Sequence, residues 1–274
     1  MLSRITKLFK KQTHTDIATT PAKAMVFVDF EHWYYSYRDN FNMKPEPEKV
    51  FQNLKGKYDI EEIMVFADLS RSELQECLSD IRPSIATVID TGESFFQRKK
   101  SVTDFVMLDQ IYRAAARSDI GTFIILTGDG HFHFVVEYLT ELEKNVVVYG
   151  VTGSVSRALR NVAPVYEELP AEEERYRSYF TMVAAQMAFL NDKTNVTPTF
   201  LKTAEQVATY NNVPRDRIID AVKRMIDIGY LYQKDQPTAF GRDIRALKAN
   251  WDLMIRDGIW NQDREDEVRT WKRK

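Results

Sequence analysis

The chain has a single cysteine, Cys77, among 274 residues, and only four histidines, ten glycines and nine prolines. One cysteine cannot close an intramolecular disulfide or build a thiolate metal cluster. A secreted disulfide scaffold is therefore excluded, and a reducing cytoplasm fits better. Scarce Gly and Pro exclude a collagen-like or linker protein. No apolar run approaches the roughly 20 residues that span a bilayer. Neither sign of charge dominates: 38 Lys and Arg stand against 40 Asp and Glu, a formal net charge of −2. That balance argues against a basic nucleic-acid coat and against an acidic tail protein. With 44% hydrophobic and 28% charged residues, the chain can bury a core, and its length suits two domains.

Composition divides the chain. Residues 1–23 are basic and then threonine-rich, with Leu2, Ile5, Leu8 and Phe9 able to share a helix face. We read them as a flexible leader, the alternative being a membrane-surface or partner-binding helix. From Ala24 a new pattern begins. AMVFVD, IMVFAD, SIATVID, TFIILTGD and VVVYGVTG are short, non-alternating apolar runs. Strands buried on both faces read this way. Helical stretches separate them: 48–57, 72–81, 103–116, 132–142 and 154–160. In the third, Phe105, Leu108, Ile111, Tyr112 and Ala115 form the apolar stripe. This alternation predicts an α/β domain over 24–170, a doubly wound parallel sheet of about five strands with helices on both faces.

After Pro170 the pattern becomes mostly helical, with helices over the stretch AEEERYRSYFTMVAAQMAFL, 200–210 and 215–228. A small hairpin around 230–242 and a last helix over 244–256 follow. Helix–helix–hairpin is the outline of a winged helix, which we place at 172–258, leaving a charged tail at 259–274. The first 170 residues are slightly acidic and the remainder slightly basic. Arg215, Arg217, Lys223 and Arg224 lie on the 215–228 helix, but so do Asp216, Asp220 and Asp227. This unit suits phosphate contact or a protein partner better than base reading. Self-association stays open.

Four strand runs end in aspartate: Asp29, Asp68, Asp90 and Asp129. Open parallel sheets bind ligands at the carboxyl ends of their strands. In the order 3-2-1-4-5, strands 1 and 4 are neighbours at the switch point, so Asp29 and Asp129 face each other and Asp68 and Asp90 lie further out. Asp104, at the start of the helix before strand 4, can reach the same crevice. Clustered carboxylates repel one another and raise their pKa values. A divalent cation removes that repulsion, and all-oxygen ligands select Mg²⁺ or Mn²⁺. Such ions support in-line phosphoryl displacement. Alternatively, Asp104 is only a helix N-terminal charge and Asp129 only a turn residue.

The segments VDFEHW (28–33), KSVTDFVMLD (100–109) and LTGDGHF (126–132) resemble, in order and spacing, the NYN domain. GVTGSVSRAL (150–159), followed by Ala163 and Tyr166, resembles the family's closing segment. These are PIN-like, metal-dependent ribonucleases, including LabA-like proteins. The resemblance implies a PIN-like fold, an RNA substrate and Mg²⁺ or Mn²⁺ at Asp29, Asp104 and Asp129, with Thr127 as the auxiliary hydroxyl. Two positions depart from the family pattern. His32 stands where many members have Asn, and His131 where many have a second acid. The imidazole at 131 can bind Mn²⁺, orient a water, contact phosphate or sit on the rim. Asp109 lies about 140° round the helix from Asp104 and is not assigned to the site.

Arg98, Lys99 and Lys100, beside Phe95 and Phe96, suit a single strand, with phosphates on the cations and bases on the rings. The leading expectation is thus a metal-dependent ribonuclease. The altered residues 32 and 131 leave a second reading, a non-catalytic RNA-binding or protein-interaction module with a residual acidic pocket. A haloacid-dehalogenase-like phosphatase would need an Asp where Glu31 stands and an acid where His133 stands, and it fits less well.

Overall fold

The computed structural model describes residues 22–79, 81–92, 102–191, 196–237 and 243–261. The leader, the Arg98–Lys100 cations with Phe95 and Phe96, and most of the charged tail lie outside the described residues.

The first unit runs β1 (Lys23–Asp29), α1 (Phe30–Phe41), α2 (Pro47–Lys57), β2 (Ile60–Ala67), α3 (Ser72–Leu78), β3 (Thr87–Asp90), α4 (Thr103–Ala115) and β4 (Ile120–Leu126). A 3₁₀ turn at Gly130–Phe132 leads into α5 (His133–Glu141), then β5 (Asn145–Val151), α6 (Arg157–Val162) and β6 (Val165–Leu169). All six strands are parallel, in the order β3-β2-β1-β4-β5-β6. β1 and β4 are neighbours, with Val28 opposite Leu126.

Alternation along the central strands feeds two cores. Val26, Val28, Val65, Ile124 and Leu126 face α1, α2 and α3. Met25, Phe27, Phe66, Phe123 and Ile125 face α4, α5 and α6. Each such strand buries both faces, so it reads as a continuous apolar run. β6 is a sixth strand, beyond the five expected. As an edge strand, VYEEL is largely exposed, and edges tolerate charge where central strands do not.

Three further differences have physical reasons. α1 carries no conventional polar/apolar stripe of aliphatics. It buries aromatic Phe30, Trp33, Tyr34, Tyr37 and Phe41 at helical spacing, and Asp29 caps it by accepting from the His32 N–H at 3.1 Å. In α4 the buried face is Thr103, Met107, Ile111, Ala114 and Ala115, while Phe105 is 72% exposed and Tyr112 is exposed too. The helix carries two apolar faces, and the sheet takes the one with small alanines. Finally, residues 243–249 form a strand, where a helix starting at 244 was expected.

That strand belongs to the second unit: α7 (Glu172–Asn191), α8 (Phe200–Asn211), α9 (Arg215–Asp227), β7 (Leu231–Pro237), β8 (Asp243–Ala249) and α10 (Trp251–Arg256). β7 and β8 pair antiparallel, Leu231 opposite Ala249. Ile244, Leu247 and Trp251 have helical spacing, but the ladder to β7 and the bond from the Leu247 N–H to the Pro198 carbonyl (2.8 Å) hold the segment extended. α7 joins the units. Phe41 and Tyr179 pack at 5.9 Å between ring centroids, and Ser178 Oγ donates to the Phe41 carbonyl at 2.9 Å. Among the described residues no helix is long and apolar enough to cross a membrane.

A candidate metal centre at the carboxyl ends of the strands

The parallel sheet sends β1 and β4 into tight turns at the same end, and both turns use an aspartate as helix cap. Asp29 caps α1. Asp129 caps the 3₁₀ turn, its Oδ1 accepting from the His131 N–H at 2.8 Å. α4 arrives from the β3 side and delivers Asp104 from its first turn. Three helical N-termini thus meet at the switch point, each carrying an acid.

Asp104, Asp129 and His131 each offer a ligand atom, and these atoms all lie within 4.8 Å of one another. His131 Nδ1 is 3.2 Å from Asp129 Oδ1. Asp29, expected as a ligand alongside Asp104 and Asp129, is not one of this trio. Its carboxylate is buried, and its two oxygens accept from the His32 N–H and, at 2.9 Å, from Thr127 Oγ1. Thr127 is fully buried and also accepts from the Asp129 N–H at 3.2 Å. One hydroxyl therefore fixes both strand-end aspartates.

The charges are crowded. Burial pushes the Asp29 carboxyl up to about 6 against the pull of its two hydrogen bonds, and Glu31 and Asp129 add repulsion. Asp104 is also pushed up to about 6, by burial first and then by Asp29 and Asp129. Carboxylates that resist ionisation in this way are relieved by a cation. Two carboxylates and an imidazole within reach of one ion, backed by a buried acid, fit a divalent metal.

Sequence reading missed the support of Asp104. Glu31 Oε1 accepts from Thr103 Oγ1 at 3.0 Å and from the Asp68 N–H at 3.2 Å. Thr103 Oγ1 also lies 2.7 Å from Thr91 Oγ1. These bonds tie the start of α4 to α1 and to the loops after β2 and β3. The local signal was an acid in the first turn of α1, but its partners are 37 and 72 residues away. Asp68 and Asp90 stay outside the cluster and build turns: Asp68 Oδ1 accepts from the Ser70 N–H, and Asp90 Oδ1 from the Gly92 and Leu69 N–H groups. Asp109 points away and pairs with Arg113 at 2.7 Å.

His32 packs inward. Burial holds its imidazole below the usual range, although Asp129 and Asp104 pull upward. Its Nε2 is 3.4 Å from Ser36 Oγ. A Cβ on Gly128 would fall 2.2 Å from that nitrogen and 2.5 Å from the Ser154 carbonyl oxygen, so only glycine fits there. His133 Nδ1 lies 2.6 Å from the Gly130 carbonyl, which only accepts, so Nδ1 carries the proton. On α9, Arg224 stacks 3.8 Å from the Tyr176 ring and pairs with Glu172 at 3.0 Å, which commits this expected phosphate contact to α7.

Over 166 residues the chain is 21% identical to Low amplitude and bright protein LabA of Synechococcus elongatus, across 56% of this chain and 87% of that protein. A crystal structure of a protein of unknown function from Vibrio parahaemolyticus RIMD 2210633 is similar at 22% identity and a TM-score of 0.48, over 54% of this chain and 93% of that one. The NYN domain matches residues 23–170, the whole of the six-stranded unit, and the chain belongs to the NYN domain family.

Proposed function

We propose that this chain is a metal-dependent ribonuclease that hydrolyses RNA phosphodiester bonds at the Asp-lined site. Residues 24–170 form the catalytic domain and 172–258 an accessory winged-helix-like domain open to a protein partner. The observation that carries this reading is the convergence of Asp104, Asp129 and His131 within 4.8 Å in a member of a typically nuclease-like family. Single-stranded RNA is the favoured substrate, on the strength of Arg98, Lys99 and Lys100 beside two phenylalanines.

Bound Mg²⁺ or Mn²⁺ supplies charge against the developing negative phosphate and lowers the pKa of water. Asp104 and Asp129 would hold the ion. Asp29 contributes negative charge from beneath, and its held oxygens keep that charge in place. Thr127 fixes Asp29 and the turn bearing Asp129 together. Glu31, through Thr103, sets the start of α4 and with it Asp104.

Cleavage of single-stranded RNA with Mg²⁺ or Mn²⁺, with and without chelator, tests this. Asp129→Asn keeps the side-chain shape and removes the charge. It should cost on the order of 10³-fold in rate and leave the circular dichroism spectrum unchanged. Full activity in that variant, or activity indifferent to chelator, would overturn the metal mechanism. His32 and His131, where many family members have Asn and an acid, favour a second reading, a non-catalytic RNA-binding module. RNA binding by the intact chain with no cleavage under any divalent ion would select it.

A further inference from the structure

We infer that His131 sets the ion preference of this site, turning it from Mg²⁺ toward Mn²⁺ and its first-row neighbours. The inference rests on the reading that Asp104 and Asp129 hold a cation.

Three histidines lie among the described residues, and two are committed elsewhere. His32 is wedged against Gly128 and Ser36. His133 spends Nδ1 on the Gly130 carbonyl and packs at a tilt against Phe134. His131 differs from both. Its side chain is 79% exposed, so it fills no core. Its backbone N–H is held by Asp129 Oδ1, and its ring nitrogen Nδ1 stands 3.2 Å from the same oxygen. The turn therefore keeps an imidazole at the edge of the carboxylate pair, with a ligand atom within 4.8 Å of Asp104.

Ligand chemistry gives this placement its consequence. Mg²⁺ takes oxygen ligands and dehydrates reluctantly. Imidazole nitrogen favours later first-row ions, whose affinities rise from Mn²⁺ onward. A site with carboxylates alone already binds Mn²⁺ somewhat better than Mg²⁺, so the mark of His131 is the change in that ratio when the nitrogen is removed.

The test uses the full chain, stripped with chelator. Mn²⁺ is titrated by the electron paramagnetic resonance signal of the free ion, and Mg²⁺ by competition, in wild type, His131→Asp, His131→Ala and Asp129→Asn. The Mn²⁺/Mg²⁺ affinity ratio should fall about tenfold in both His131 variants. Pulsed resonance of bound Mn²⁺ should show ¹⁴N coupling in wild type that both variants lose. Because the ring is exposed, thermal melts should confirm that both variants are folded. An unchanged ratio, or no ¹⁴N coupling in wild type, overturns this inference and leaves the metal site standing. Equal Mn²⁺ binding in wild type and Asp129→Asn overturns the metal site itself, and the inference with it.

Discussion

Thr127 Oγ1 donates to Asp29 Oδ2 at 2.9 Å, joining the ends of two adjacent strands 98 residues apart in sequence. The bond is fully buried and reaches a carboxylate that burial drives toward its neutral form. A hydrogen bond to a charged group in such a place is worth about 1.5–3 kcal/mol.

Thr127→Val keeps the volume and deletes the donor. The Asp29 carboxyl should then rise further, because the Thr127 hydroxyl now holds it down. Cleavage should fall about 10–100-fold, and the acidic limb of its pH profile should move to higher pH. Thr127→Ser should restore both. A profile that does not move in the valine variant would show that the hydroxyl only packs.

Metal-free stability should depend on pH with a defined sign. Asp29 and Asp104 sit near 6 in the folded chain, above the ordinary carboxylate value near 4. Between those values the folded state binds more protons than the unfolded one, so stability falls as pH rises through about 4 to 6. Asp104→Asn removes one contributor. In chelator it should melt about 2–4 °C above wild type at pH 7.5 and no higher than wild type at pH 4. Saturating Mn²⁺ should reverse the order at pH 7.5. Equal melting of the two metal-free proteins at pH 7.5 would refute the electrostatic crowding.

Gly128→Ala forces a methyl against the His32 ring and the Ser154 carbonyl. The Ser154 carbonyl is backbone, which cannot swing aside as a side-chain end can. Overpacking of this kind costs about 1–3 kcal/mol. The same shift displaces the turn that carries Asp129. Denaturant midpoints should drop and cleavage should be lost together. A variant of wild-type stability would show that the loop yields freely.

Lys99→Ala combined with Lys100→Ala should weaken RNA binding and flatten its dependence on salt by about one to two counterions. Turnover at saturating RNA should change little, since neither residue is assigned to the metal site. An unchanged salt slope would remove these lysines from the RNA path and leave the acidic site untouched.

Much of this architecture is legible in local sequence. AMVFVD and TFIILTGD read as strands because the sheet buries both their faces, and burial on both sides leaves no alternation to misread. Their terminal aspartates mark the end where the candidate site forms, because a parallel sheet turns all its strands the same way there. β6 and β8 were not legible, since an edge strand and a two-stranded ribbon are held by their pairing partners rather than by their own apolar pattern. Nor could the chain in one dimension divide the acids among roles. Asp104 and Asp129 come to share a reach with His131, Asp29 sinks beneath them onto Thr127, and Glu31 turns aside to hold Thr103. Residue types and strand ends are fixed by neighbours in the chain, whereas burial, reach and hydrogen-bond partners are set by contacts tens of residues apart. Chain order sets which groups stand at the crevice, and packing around the switch point selects which of them come within reach of one another.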